Sequence, residues 1–202
     1  TDALNCGIAG RLPWGELARR VDGLAGDLEL VWEFLPGDRF GQAKRRISTS
    51  GDVPVVAVGD QLLAVVSKGA QISEVGTDRV AGRIECHRGQ RALVAVTATD
   101  DEPLFIPSPD DIDRRLDRTI GSWRAWSDLL PRDGPWAGAV QRSALALKTL
   151  RSEPDGAIAA AATTSLPERL GAAKNFDYRY AWIRDSAFTL DAFIHLGLDE
   201  EV

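Results

Sequence analysis

The apolar residues of this 202-residue chain change their spacing near residue 100. Before that point they fall in short runs rich in β-branched side chains. "DLELVWEFL" (27–35) alternates in part and meets a turn signal at Pro36, Gly37 and Asp38. "VPVVAV" and "QLLAVVS" are split by Gly59 and Asp60, a pair suited to a two-residue hairpin. "RVAGRIECH" and "QRALVAVTA" flank Arg88 and Gly89, which predicts a second hairpin. Several of these runs are apolar on both faces, as in the inner strands of two packed sheets. Strands do not alternate regularly with helices, which argues against a parallel βαβ fold.

Beyond residue 100 the period becomes helical. "DDEPLFIPSPDD" (100–111) is rich in proline and acid and reads as a linker. Its end predicts a helix start: Ser108 as an N-cap hydroxyl, Pro109 in the first turn, and Asp110 and Asp111 facing the positive end of the helix dipole. Ile112, Leu116, Ile120 and Trp123 then recur at three- and four-residue spacing, Trp126 and Leu130 continue the face, and "PRDGP" (131–135) ends it. A second helix is predicted over 136–150. Val140, Ala144, Leu145, Ala146 and Leu147 make it apolar on most sides, so it should be buried among other helices. "SEPDG" (152–156) stops it. In 157–174 alanine favours helix, but Thr163, Thr164, Ser165 and Pro167 do not, so a short extended piece and a loop are expected. A third helix runs from Trp182 or Arg184 to Leu196, with Gly197 capping its end. The fold class is α+β, an antiparallel β-sandwich followed by a helical segment. Its expected parts are a sandwich portion over 1–99, a linker and linker helix over 100–135, and helices over 136–202.

Composition narrows the function classes. The chain is 44% hydrophobic and 27% charged, the balance of an ordinary globular protein. Its net charge of −6 argues against nucleic acid or an anionic membrane as partner and suits a neutral small molecule. No run approaches the roughly 20 apolar residues of a membrane helix, and no signal peptide stands at the start. The chain begins with Thr1 and holds no methionine, so its natural N-terminus is expected to be missing. Cys6 and Cys86 show no metal spacing and are expected as two free thiols, with a cytoplasmic location as the default. His87 and His195 are isolated, so no metal is expected. No glycine-rich phosphate loop points to a cofactor, and none is expected. Lys44, Arg45 and Arg46 read as a solvated strand edge. Trp123 and Trp126 should pack rather than bind; Trp14 and Trp32 have no assigned place.

The candidate chemistry lies in "NFDYRYAWIRDSAFTLDAF" (175–193). Sugars pack their C–H faces on aromatic rings and give their hydroxyls to carboxylates and guanidinium groups. Tyr178, Trp182, Arg184 and Asp185 offer both kinds of surface at a helix start. On chemistry alone the cluster is equally an Arg–Asp ion pair beneath a structural tryptophan.

Three motifs in order, "VQRSALALKTL" (140–150), "GAIAAAATTSLPERLG" (156–171) and "NFDYRYAWIRDSAFTLDAFIHLG" (175–197), resemble the start of the catalytic domain of glycoside hydrolase family 15, the glucoamylase and bacterial trehalase-like enzymes. The β-rich first half, "ARRVDGLAGDLELVWEFLPGDRFG" (18–41) in particular, resembles the later part of that family's N-terminal sandwich. The resemblance implies that 136–202 are the first helices of an (α/α)6 barrel and that the substrate is an α-glucoside or oligosaccharide, hydrolysed with inversion. It also implies that Arg184 and Asp185 hold hydroxyls of a terminal glucose in a subsite lined by Tyr178 and Trp182. Phe176, Ala181 and Ala162 depart from the family's tryptophan, cysteine and proline without removing a sugar contact. Inverting hydrolysis needs two carboxyl groups about 6.5–9.5 Å apart. The family's two glutamates match nothing here, so no catalytic residue is expected in this chain and the isolated chain should be inactive. Glu168 is expected to fix its loop, and Asp177 to act as a structural acceptor or a partner of the clamp. The incomplete barrel should leave apolar helical faces wet. Such faces would be covered in a longer protein, by a second copy in a homodimer, or by the chain's own sandwich. The alternative is a non-catalytic module that binds carbohydrate or a protein partner.

Overall fold

The structure is a computed structural model and describes residues 1–7, 12–38, 41–100, 103–152, 155–166 and 169–202. Positions 101 and 102 of the linker, 153 and 154 of the predicted helix stop, and Pro167 and Glu168 lie outside the described residues, so the loop-fixing role expected of Glu168 does too. Among the described residues nine strands come first: β1 (Asp2–Leu4), β2 (Gly15–Asp22), β3 (Asp27–Phe34), β4 (Arg45–Ser50), β5 (Val53–Val58), β6 (Gln61–Lys68), β7 (Gln71–Val75), β8 (Val80–His87) and β9 (Arg91–Asp100). Helices α1 (Pro109–Ser127), α2 (Ala137–Thr149) and α3 (Ile183–His195) follow, with a closing 3-10 turn at Asp199–Glu201. The chain forms two compact units, Thr1–Gly121 and Ser122–Val202.

The first unit is an antiparallel β-sandwich. One sheet has six strands in the order β1-β2-β9-β6-β5-β4, and the other has three in the order β3-β8-β7. Trp32, Val80, Ile84 and Cys86 of the small sheet pack against Val65, Ala92 and Val94 of the large one. Trp32 thus finds its place in the core, where its ring lies so close to Gly82 that a Cβ there would stand 2.7 Å from it and 1.9 Å from the Gln71 carbonyl oxygen. The other face of the large sheet gives Ala18, Val66, Leu93 and Ala95 to Ile112 and Leu116 of α1. This explains why β6 and β9 are apolar on both faces. Only one face meets a sheet; a helix covers the other.

The first predicted hairpin forms. Val58 pairs with Gln61 across Gly59 and Asp60, and Gly59 takes φ +62°. The second does not: β8 and β9 belong to different sheets. Arg88 and Gly89 instead make a corner between the sheets, closed by a hydrogen bond from the Gln90 N–H to the His87 carbonyl at 2.9 Å. The Gly89 N–H donates to the Gly23 carbonyl, and the Gly23 N–H donates to the Gln90 carbonyl. A Cβ on Gly23 would lie 2.0 Å from the His87 carbonyl oxygen, so the corner needs a glycine on its far side. A short turn between two apolar runs reports a reversal of direction, not which sheet the second run joins.

The Ser108 cap is present: its Oγ accepts from the Asp111 N–H at 3.2 Å and donates to the Asp111 carboxylate at 2.7 Å. Behind α1, the buried Glu16 carboxylate takes both forks of Arg115 at 2.8 and 2.6 Å, Nδ2 of Asn5 at 2.8 Å, and Nε1 of Trp14 at 3.1 Å. Trp14 is half-buried and its ring packs on Phe105. Arg45 and Arg46 lie exposed on β4 at the edge of the large sheet, as a solvated edge should.

In the second unit, Leu130, Ala144, Phe193 and Leu198 form a small core, with Trp126, Leu147 and Leu196 against it. Trp123 and Trp126 are half-buried and meet edge to face at 6.3 Å, so both pack as expected. α2 differs from expectation: only Ala144 is fully buried on it, because this small core has room for a single stripe of the helix. α3 ends as predicted. Gly197 takes φ +70°, its N–H reaches the Ile194 carbonyl, and the Leu198 N–H reaches the Phe193 carbonyl.

Candidate functional site

The segment before α3 is held open by short β-bridges rather than by a sheet. Ala159 bridges Ala181 and Thr164 bridges Asp177, both antiparallel. The N–H groups of Ala160, Ala161 and Ser165 donate to the carbonyls of Tyr180, Tyr178 and Phe176 at 3.1, 2.8 and 2.8 Å. The alanine-rich run therefore stays extended, as Thr163, Thr164 and Ser165 predict, because its backbone serves the aromatic segment opposite.

Every second residue of 176–182 carries a ring. Phe176, Tyr178 and Trp182 form a closed cluster with centroid distances of 6.4, 6.1 and 5.5 Å. Tyr178 and Trp182 are the nearest pair, inclined by 35°. Trp182 is the N-cap residue of α3, with extended backbone and no side-chain cap hydrogen bond. Its carbonyl accepts the Ser186 N–H at 2.9 Å, which fixes where the indole leaves the helix.

Arg184 and Asp185 follow in the first turn of α3, where an acid is favoured by the helix dipole. Nη2 of Arg184 donates to Oδ2 of Asp185 at 3.1 Å; the arginine side chain is largely exposed and the aspartate partly so. Arg184 can still donate hydrogen bonds to a solute and Asp185 can still accept them, since a guanidinium has five N–H donors and a carboxylate several acceptor sites.

Asp177 forms a second pair. Its Oδ1 accepts from Nε of Arg179 at 2.9 Å and from the Arg179 backbone N–H at 3.0 Å, while Oδ2 accepts from Nη2 at 2.7 Å. The Arg179 side chain and then its backbone N–H hold the carboxyl at about 2, well below the usual carboxylate range. A group so held cannot deliver a proton near neutrality. The sequence singled out Asp177 as an acceptor but gave no partner; the Asp-x-Arg spacing was the available signal. It marked Ser165 only as disfavouring helix and not as a partner of the aromatic segment, although the Ser165 Oγ accepts the Phe176 N–H at 2.7 Å. Nor did it mark Glu201, whose buried carboxylate takes Nε1 of Trp126 at 2.8 Å and Nζ of Lys148 at 2.5 and 2.7 Å. His195 Nδ1 lies 2.8 Å from the Asp191 carbonyl, and His87 Nδ1 lies 2.7 Å from Asp27. Among the described residues, no three His, Cys, Asp or Glu side chains are grouped to hold a metal ion.

Residues 134–202 match the family model of glycosyl hydrolases family 15. A trehalase of Mycobacterium tuberculosis is 37% identical over 180 residues, covering 86% of this chain and 24% of that protein. A trehalase of Thermoplasma volcanium is 29% identical over 202 residues, all of this chain and 32% of its own length. A trehalase of Thermoplasma acidophilum is 46% identical over 98 residues, 48% of this chain and 17% of that protein. The chain thus spans a third or less of the length of these relatives. Over residues 134–202 it matches glycosyl hydrolase family 15, and over most of its length it is similar to trehalases.

Proposed function

We propose that this chain supplies the terminal-glucose site of an enzyme that hydrolyses α-glucosidic bonds with inversion, of the trehalase or glucoamylase type. The observation that carries the reading is the closed cluster of Phe176, Tyr178 and Trp182, set directly before the Arg184–Asp185 pair. In this reading the rings of Tyr178 and Trp182 take the C–H face of a glucosyl unit. Arg184 donates to one hydroxyl and Asp185 accepts from a neighbouring one, each exchanging part of their mutual hydrogen bond for the sugar. Trehalose is the favoured substrate, because the relatives named above are trehalases. The two free thiols fit a cytoplasmic site of action.

The chemistry itself needs two further carboxyl groups. Asp177 is held in the fork of Arg179, and Asp185 is assigned in this reading to a sugar hydroxyl, so neither is left to protonate a leaving oxygen or to activate water. The proposal is therefore binding without turnover in the 202-residue chain, and turnover in a protein that carries an acid and a base on opposite sides of the bond. The test is made on the protein as its host produces it, after its intact mass is measured. The expected result is glucose released from trehalose, with the β-anomer appearing first from maltose, and a fall in kcat/KM of about a hundredfold or more in Arg184→Ala. No hydrolysis of any α-glucoside by a protein much heavier than 21.9 kDa would end this reading.

A further inference from the structure

The aromatic cluster is presented by a loop with little packing beneath it, and its rigidity has to come from hydrogen bonds. Phe176 is 45% exposed, and Arg179 and Tyr180 are exposed as well. Two contacts stand out on either side of Tyr178. On one side, Ser165 clasps the Phe176 backbone at both ends: its Oγ accepts the Phe176 N–H at 2.7 Å and its N–H donates to the Phe176 carbonyl at 2.8 Å. On the other, the Asp177 carboxylate gathers three N–H groups of Arg179, one of them from the backbone. Residue 178 sits inside the turn so formed, and its own carbonyl is held by the Ala161 N–H at 2.8 Å.

We propose that Ser165, Asp177 and Arg179 form a positioning set that fixes the Tyr178 ring against Trp182, and through it the grip on a glucosyl unit. None of the three touches the sugar. The inference rests on the proposed glucose site only for its second half; the ring geometry is a claim of its own. An exposed ion pair adds little to global stability. The fork and the backbone acceptor instead remove torsional freedom from the residues flanking Tyr178, which lowers the ordering cost of binding.

The test uses the 202-residue chain and two readouts. The first is the nuclear Overhauser effect between the Tyr178 and Trp182 rings. The second is trehalose affinity by titration. Asp177→Ala and Ser165→Ala are expected to abolish the Overhauser effect while amide signals of the sandwich stay in place, and Ser165→Thr, which keeps the hydroxyl, is expected to restore it. Trehalose affinity should fall about tenfold in Asp177→Ala, the size of losing one charge-assisted alignment. Adding Asp177→Ala to Tyr178→Ala should cost nothing more, because the aspartate acts through the ring. Should Asp177→Ala unfold, Asp177→Asn decides the matter. It keeps the backbone acceptor, weakens the fork, and is expected to weaken the Overhauser effect. An Overhauser effect unchanged in these variants overturns the positioning set. Its disappearance with trehalose affinity unchanged upholds the positioning and overturns the glucose site. Additive effects on affinity in the double variant overturn action through Tyr178.

Discussion

At the residue scale, the head of α3 is framed by a ring contact between Tyr178 and Trp182 and an ion pair between Arg184 and Asp185. Tyr178, Trp182, Arg184 and Asp185 stand out as residue types, and the structure brings two of them into a ring cluster and the other two into a pair. Ser165 and Glu16 do not stand out, because a serine in a loop and a glutamate in a strand carry no pattern; only the long-range fold brings Arg115 to Glu16. That buried pair makes an acid-sensitive joint. Burial alone would raise the Glu16 carboxyl, but Arg115 first, then Asn5 and Trp14, outweigh it and hold it below its ordinary 4.5. A carboxyl lower in the folded than in the unfolded state contributes stability that is full above the ordinary value and is lost as pH falls through the folded one. The sandwich should therefore lose urea resistance on acidification below 4.5. Glu16→Gln, which strands a mostly buried guanidinium, should cost about 3 kcal/mol at neutral pH and flatten that acid dependence. An unchanged denaturation midpoint in Glu16→Gln would contradict this role for the pair. Asp177 behaves differently: its contacts with Arg179 fail only as pH falls through about 2, so the Tyr178–Trp182 contact should persist in mild acid.

At the element scale, what the pattern resolved was local. The Gly59 hairpin, the Ser108 start of α1 and the Gly197 stop of α3 each rest on neighbours within a few residues, and each is present. Ser108→Ala should remove the cap on the Asp111 N–H and cost about 1 kcal/mol, read as a lower urea midpoint for the sandwich with its helix. The Arg88–Gly89 corner illustrates what was not legible. Both flanking runs are strands, yet the choice between pairing and crossing depends on the Gly23 backbone, more than sixty residues earlier. α2 shows the same limit. Its composition speaks for burial on all sides, while the helix buries only a stripe centred on Ala144.

At the scale of the whole molecule, the two units differ in how much they bury. Among the described residues, the sandwich has a core between its sheets and a second one under α1, whereas the helical unit has one small cluster. It leaves Trp136, Leu170, Ile183, Phe188 and Ile194 more than half exposed. Hydrogen exchange should accordingly be slower in β6, β8 and β9 than in α2 and α3. A dye that fluoresces on apolar surface should bind the chain, and a signal that falls as protein concentration rises would mark pairing through these faces. Both expectations concern a surface that the apolar texture of 136–202 foreshadows. The proposed sugar grip lies at the head of α3. The most direct measurement is a trehalose titration of the chain followed by the ring signals of Tyr178 and the indole signal of Trp182. Saturable shifts are expected at both, weakened about tenfold or more in Arg184→Ala with the sandwich signals unmoved. Rings that do not respond to trehalose, or that respond equally well without the Arg184 guanidinium, would contradict the sugar grip.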